Sequence, residues 1–90
     1  MATEIKSTQT NTALTIRAAR AAQQMTLREF GAALSVSHNM VVLWEDGTNE
    51  PDRARIAAWI TDEREWVHLL GLRLFGVQYR ALIQNVLVPA

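Results

Sequence analysis

Apolar residues recur at helical spacing along most of the chain, and strand-like alternation is not sustained. Leu14, Ile16 and Ala19, with Arg20, make a partial helical face within a run of helix formers, which predicts a first helix over Ala13 to Gln24. Thr26 and Glu29 then form a capping box. The threonine hydroxyl can accept from the Glu29 amide while the carboxylate reaches back to the Thr26 amide. Met25 and Phe30 flank this box at the spacing of a hydrophobic staple, and Ala33 and Leu34 continue a short second helix. Ser35-Val36-Ser37 interrupts it. Ser37 is placed to cap a third helix over His38 to Asp46, and Gly47 supplies a left-handed stop. Two short helices joined by a tight turn are therefore expected.

Pro51, with its fixed φ and missing amide hydrogen, suits the start of a fourth helix over Asp52 to Ile60, whose apolar face is Ile56, Trp59 and Ile60. Asp62 and Glu65 form a second capping pair. They would open a helix from Glu63 to about Phe75 that carries Trp66, Leu69, Leu70 and Arg73 at helical spacing. Gly76 is expected to break or bend it. Tyr79, Leu82, Ile83, Val86 and Leu87 predict a last amphipathic helix ending before Pro89, with a strand over Val86 to Val88 as the alternative. The pattern is that of an all-α protein, a compact helical bundle of about five to six helices. Residues 1–12 are polar, rich in Thr, Asn, Gln and Ser, and read as a flexible arm. Residues 13–61 form the main helical domain and residues 62–90 a C-terminal helical extension.

Composition narrows the function classes. With 90 residues, 49% of them hydrophobic, and no cysteine, stability must come from packing, and no oxidising compartment is required. No apolar run reaches the roughly 18–20 residues of a membrane span, so neither a membrane partner nor secretion is expected, and a cytoplasmic location is. Nine Lys and Arg balance nine Asp and Glu, whereas a strong nucleic-acid binder is usually more basic. The distribution is uneven. Up to Trp44 the charges are Lys6, Arg17, Arg20 and Arg28 against Glu4 and Glu29, and the remaining acids begin at Glu45. His38 and His68 lack cysteine partners and ligand spacing, so no metal is expected. Asp62, Glu63 and Glu65 resemble a catalytic carboxylate group, but acids are favoured in any first helical turn by the helix dipole. No glycine-rich phosphate loop or nucleophile motif is present, which argues against an enzyme or a cofactor.

The segment Met25-Thr26-Leu27-Arg28-Glu29-Phe30-Gly31-Ala32-Ala33-Leu34-Ser35-Val36-Ser37, followed by Val41, Trp44-Glu45-Asp46-Gly47 and Pro51, resembles the Cro/repressor-type, or XRE-like, helix-turn-helix family. The resemblance implies a lambda-repressor-like DNA-binding domain. Gly31 would remove a side chain where two helices cross closely, and Val36, Val41 and Trp44 point to one small core. The family further implies that Arg20 pairs with Glu45. It implies that the third helix enters the major groove, with His38, Asn39, Val42 and Leu43 at base-reading positions. Asn39 suits a bidentate contact to adenine, His38 a guanine or a phosphate, and Val42 or Leu43 a thymine methyl. Arg17, Thr26, Arg28 and Ser37, with the amides that begin the second and third helices, are the expected phosphate contacts.

Some positions depart from the family pattern. Leu27 stands where the family places a glutamine that reaches phosphate, and Gln24 and Ser35 stand where glycines end helices. Asp46, Glu50 and Asp52 add negative charge near the expected backbone path, and Val42 with Leu43 makes the reading face apolar. Two functions follow. One is a sequence-specific, repressor-like regulator that binds a palindromic operator in double-stranded DNA as a homodimer. The alternative is an antitoxin-like or anti-regulator module of the same fold that grips a protein partner through the exposed helix. The C-terminal residues Trp66, Leu70, Leu74, Phe75, Tyr79, Ile83 and Leu87 are the expected dimer interface. A two-fold pair would hold two reading helices about 34 Å apart.

Overall fold

The structure is a computed structural model that describes the backbone of residues 11–87 and the side chains of residues 11–80. Five helices make up the described residues, with no strand among them: α1 (Asn11–Ala22), α2 (Leu27–Leu34), α3 (His38–Glu45), α4 (Arg53–Ile60) and α5 (Glu65–Leu87). The protein is thus all-α. The chain divides between Pro51 and Asp52 into two compact units. α4, which the sequence pattern groups with the helices before it, packs against α5. Residues 1–10 of the expected arm lie outside the described residues. Thr12, the last residue assigned to that arm, is buried inside α1.

In the first unit α3 packs against both α1 and α2. The core gathers Ala13 and Ile16 from α1, Phe30 and Leu34 from α2, and Val41 and Trp44 from α3. Leu14, expected on the inward face, is exposed. At 3.6 residues per turn a position two residues from Ile16 stands on the other side of the helix, so the buried stripe is Thr12, Ala13 and Ile16.

All three helices of this unit close with the same six-residue hydrogen-bond pattern. After α1 the amides of Gln24 and Met25 donate to the carbonyls of Ala21 (2.9 Å) and Arg20 (3.2 Å). After α2, Ser35 and Val36 donate to Ala32 (3.2 Å) and Gly31 (2.8 Å), and after α3, Gly47 and Thr48 donate to Trp44 (3.3 Å) and Leu43 (3.0 Å). This Schellman geometry needs one left-handed residue, supplied by Gln24 (φ 55°), Ser35 (φ 63°) and Gly47 (φ 85°). Only the third is glycine, the residue that adopts this conformation without a steric cost.

In the second unit the carboxylate of Asp52 caps α4 by accepting from the Arg55 amide at 2.8 Å. Ile56 and Trp59 of α4 and Val67, Leu70 and Leu74 of α5 are buried. Gly71 permits the contact between the helices, because a Cβ there would stand 2.8 Å from the Ile60 nitrogen and 2.9 Å from its Cγ1. His68 Nδ1 is hydrogen-bonded to the Ile60 carbonyl.

Two expectations for this unit are corrected. Asp62 does not cap a helix starting at Glu63. Its carboxylate accepts from the Arg64 amide at 2.8 Å and holds the Arg64 guanidinium through two 2.9 Å contacts, so the helix begins only at Glu65. Gly76 does not interrupt α5, which continues to Leu87 and leaves Val86 and Leu87 helical, not in a strand. A single interior glycine costs a helix about 1 kcal/mol relative to alanine, which is too little to end one whose neighbours on both sides favour it.

Candidate nucleic-acid interface

The paired helices α2 and α3 are defined at every end by local chemistry. Thr26 Oγ1 accepts from the Glu29 amide at 3.1 Å and Glu29 Oε1 accepts from the Thr26 amide at 2.9 Å, completing the capping box. The Ser35 turn follows, and Ser37 Oγ then accepts from the Met40 amide at 3.2 Å to open α3. The turn is tight. A Cβ on Gly31 would lie 2.7 Å from the Val36 carbonyl oxygen, closer than side chains approach, and a tight 3.2 Å from the Ser37 carbonyl carbon.

The inward side of α3 is Val41, Trp44 and Glu45. Asn39, Val42 and Asp46 are exposed and follow at i, i+3 and i+7, so they line one outward strip. His38 and Leu43 are half-buried at its borders. The strip therefore offers one amide, one apolar side chain and one acid, and no cation. Asp46 lies just past the helix end, where its carboxylate accepts from the Thr48 amide at 2.8 Å. Hydrogen bonds from the Thr48 hydroxyl and amide hold its pKa below the usual carboxylate value.

Beneath the strip lies an ion-pair cluster. Glu45 is the last residue of α3, an unfavourable place for an acid because the carbonyl end of a helix is its negative pole. Arg20 from α1 compensates, with Nε 2.6 Å from Oε2 and Nη2 3.0 Å from Oε1, and its Nη1 donates to the Met25 carbonyl at 3.1 Å. The carboxylate raises the Arg20 pKa further, chiefly through this hydrogen bonding. Arg17 is the second cation on the same acid: its Nε lies 3.6 Å from Oε1, and Nη2 donates to the Glu45 backbone carbonyl at 3.4 Å.

Arg17, an expected phosphate contact, instead engages Glu45, and the signal for this in the sequence is its place one helical turn from Arg20. Of the other expected phosphate contacts, Thr26 and Ser37 are exposed but spend their hydroxyl oxygens as caps. The Thr26 amide is bonded to Glu29, so it is not a donor for an anion. Arg28 and Asn39 are exposed, and their side chains form no hydrogen bond or ion pair within the described residues. Leu27 is half-buried at the start of α2.

The expected dimer residues separate. Leu70 and Leu74 are buried within the chain's own core and cannot face a second copy, because they fall on the side of α5 opposite its exposed leucines. Trp66 is half-buried, and Phe75 and Tyr79 are exposed. Ile83 and Leu87 have side chains outside the described residues. No helix among the described residues is long and apolar enough to cross a membrane. No protein-family model, curated protein or solved structure matches the chain.

Proposed function

We propose that this protein is a helix-turn-helix regulator that reads double-stranded DNA through the outward strip of α3, acting as a homodimer on a palindromic site. The observation that carries the reading is Asn39, exposed one position inside a helix that Ser37 caps and the Gly31–Val36 contact holds tightly against α2. An unpartnered carboxamide at that position can pair both polar atoms with an adenine edge. The unsatisfied amides at the start of α3 favour a nearby phosphate, and Arg28 is the exposed cation of α2. Arg20, Arg17 and Glu45 act indirectly, by fixing the end of α3 to α1.

Titration of the purified chain against duplexes drawn from upstream of its own coding region, at two salt concentrations, tests this. A preferred duplex is expected, bound with an affinity that falls with salt. Asn39→Ala should flatten the preference at one base position, a loss of about 1–3 kcal/mol of discrimination. Arg28→Ala should weaken all duplexes alike and reduce the salt slope by about one.

A second reading, a protein-gripping module of the antitoxin-like or anti-regulator kind, is favoured by one feature. Val42 is 37% exposed in mid-strip, with the fixed negative charge of Asp46 one turn on. Val42→Asp separates the two readings. It should abolish capture of a protein partner if that module is correct, in a chain that shows no preference among duplexes.

A further inference from the structure

We infer that two copies of this chain pair through the outer face of α5, with their helices crossing at Gly76. α5 is apolar on two opposite sides. Its inner side, Val67, Leu70, Gly71 and Leu74, is buried within the chain. Its outer side carries Leu69, Leu72, Gly76 and Tyr79 at intervals of three, four and three residues, the spacing of a seam between two helices. The sequence continues that register to Ile83 and Val86. A helix apolar on both sides is ordinarily covered on both. Here Leu69 and Leu72 are each 43% exposed, Phe75 54% and Tyr79 53%.

Gly76 points to what covers the seam. Each of the other two helical glycines has a reason within its own unit, since a Cβ on Gly31 or Gly71 would strike backbone closer than 3 Å. A Cβ on Gly76 would meet nothing within 4 Å. Mid-helix glycine is destabilising relative to alanine, and nothing among the described residues requires it. A second helix approaching closely at that point would.

The same patch holds both a projection and a recess. Phe75 and Tyr79 stack with ring centroids 5.9 Å apart. They form one wall of an apolar groove of about 310 Å³ whose other wall includes Ile56, Ala57 and Ile60 of α4. A two-fold contact uses one surface on both copies and so needs both shapes side by side. The half-exposed aromatic rings leave roughly 100 Å² each, and with the two leucines the seam offers about 350 Å² per copy. Ala57 and Ile60 of the groove wall add to this, in a contact smaller than the roughly 800 Å² per partner of a standard stable one. Arg73 and Arg80 border the seam without entering its register.

This inference deepens the homodimer of the DNA-binding reading, but it rests on α5 alone. A dimer that ignores DNA would defeat that reading and spare the seam, and a monomer that binds DNA would overturn the seam and the dimeric part of that reading while sparing its base contacts. The test is sedimentation of the full chain at micromolar concentrations, together with air oxidation of Gly76→Cys. The chain has no cysteine of its own, and a residue on a two-fold axis meets itself within disulfide reach. A dimer is expected, with most Gly76→Cys protein linked covalently and released by reductant, while Arg28→Cys gives no linked dimer. Leu72→Asp combined with Tyr79→Asp should yield a monomer of unchanged helical circular dichroism, both positions being exposed. A wild-type monomer would overturn the inference, as would a dimer that survives the double substitution or Gly76→Cys cross-linking no faster than Arg28→Cys.

Discussion

Glu45 and Arg20, 25 residues apart in sequence, meet through two parallel hydrogen bonds of 2.6 and 3.0 Å and so tie the last residue of α3 to the last turn of α1. The Glu45 side chain is only 7% exposed and that of Arg20 24%. Removing the acid would leave a largely sheltered guanidinium without its partner. Glu45→Ala should therefore cost about 2–4 kcal/mol, near the lower end of what breaking a buried pair costs because Arg20 keeps some access to water. Urea denaturation measures this directly. A loss below about 0.5 kcal/mol would class the pair with ordinary surface ion pairs.

Gly31→Ala sets helix propensity against space. Alanine is the better helix former by about 1 kcal/mol, yet its methyl group would sit 2.7 Å from the Val36 carbonyl oxygen. Backbone cannot yield as a flexible side-chain end can, so a net loss of about 1–3 kcal/mol is expected from overpacking. A thermal melt shifted downward would confirm it, and an unchanged or raised midpoint would refute it.

Gln24 and Ser35 hold left-handed backbone that costs a non-glycine residue roughly 1–2 kcal/mol. Part of any gain from glycine is offset by the greater freedom it gives the unfolded chain. Gln24→Gly and Ser35→Gly should each stabilise by about 0.5–1 kcal/mol, net of that opposing effect. Gly47→Ala should destabilise by about 1–2 kcal/mol for the same reason with the sign reversed. Melting temperatures of the three variants, measured side by side, decide the matter.

Asp62 governs a response to acid. The side-chain hydrogen bonds from Arg64, with that residue's amide, bring the carboxyl from 3.8 to about 2. The folded state therefore favours the ionised form. The stabilisation is fully present above the unfolded value and is lost as pH falls through about 2. NMR titration of the Asp62 carboxyl should give a midpoint well below that of an unstructured peptide, and Arg64→Ala should raise it only part of the way to the ordinary one, because the amide at position 64 still donates.

Most of the first unit was legible because its boundaries are set by contacts between near neighbours. Thr26 with Glu29, Ser37 with Met40, and the left-handed stop at Gly47 are each written within a span of six residues. The second unit was harder. Gly76 looked like a break because glycine discourages a helix, but the apolar residues on either side keep α5 continuous. Leu70 and Leu74 lie on one of the two apolar sides of α5, and spacing alone does not say which one the chain covers itself. Arg17 illustrates a third difficulty: an exposed arginine on a helix looks the same in sequence whether it awaits a phosphate or already holds an acid.

The three repeated helix endings also bear on how quickly the first unit can assemble. Every capping contact described for α1, α2 and α3 closes a loop of six residues or fewer, so the helix boundaries need no distant part of the chain to be in place. What remains is largely one long closure, α3 onto α1, which the Glu45–Arg20 pair marks. Chains dominated by such short-range contacts have low contact order and fold on microsecond to millisecond timescales.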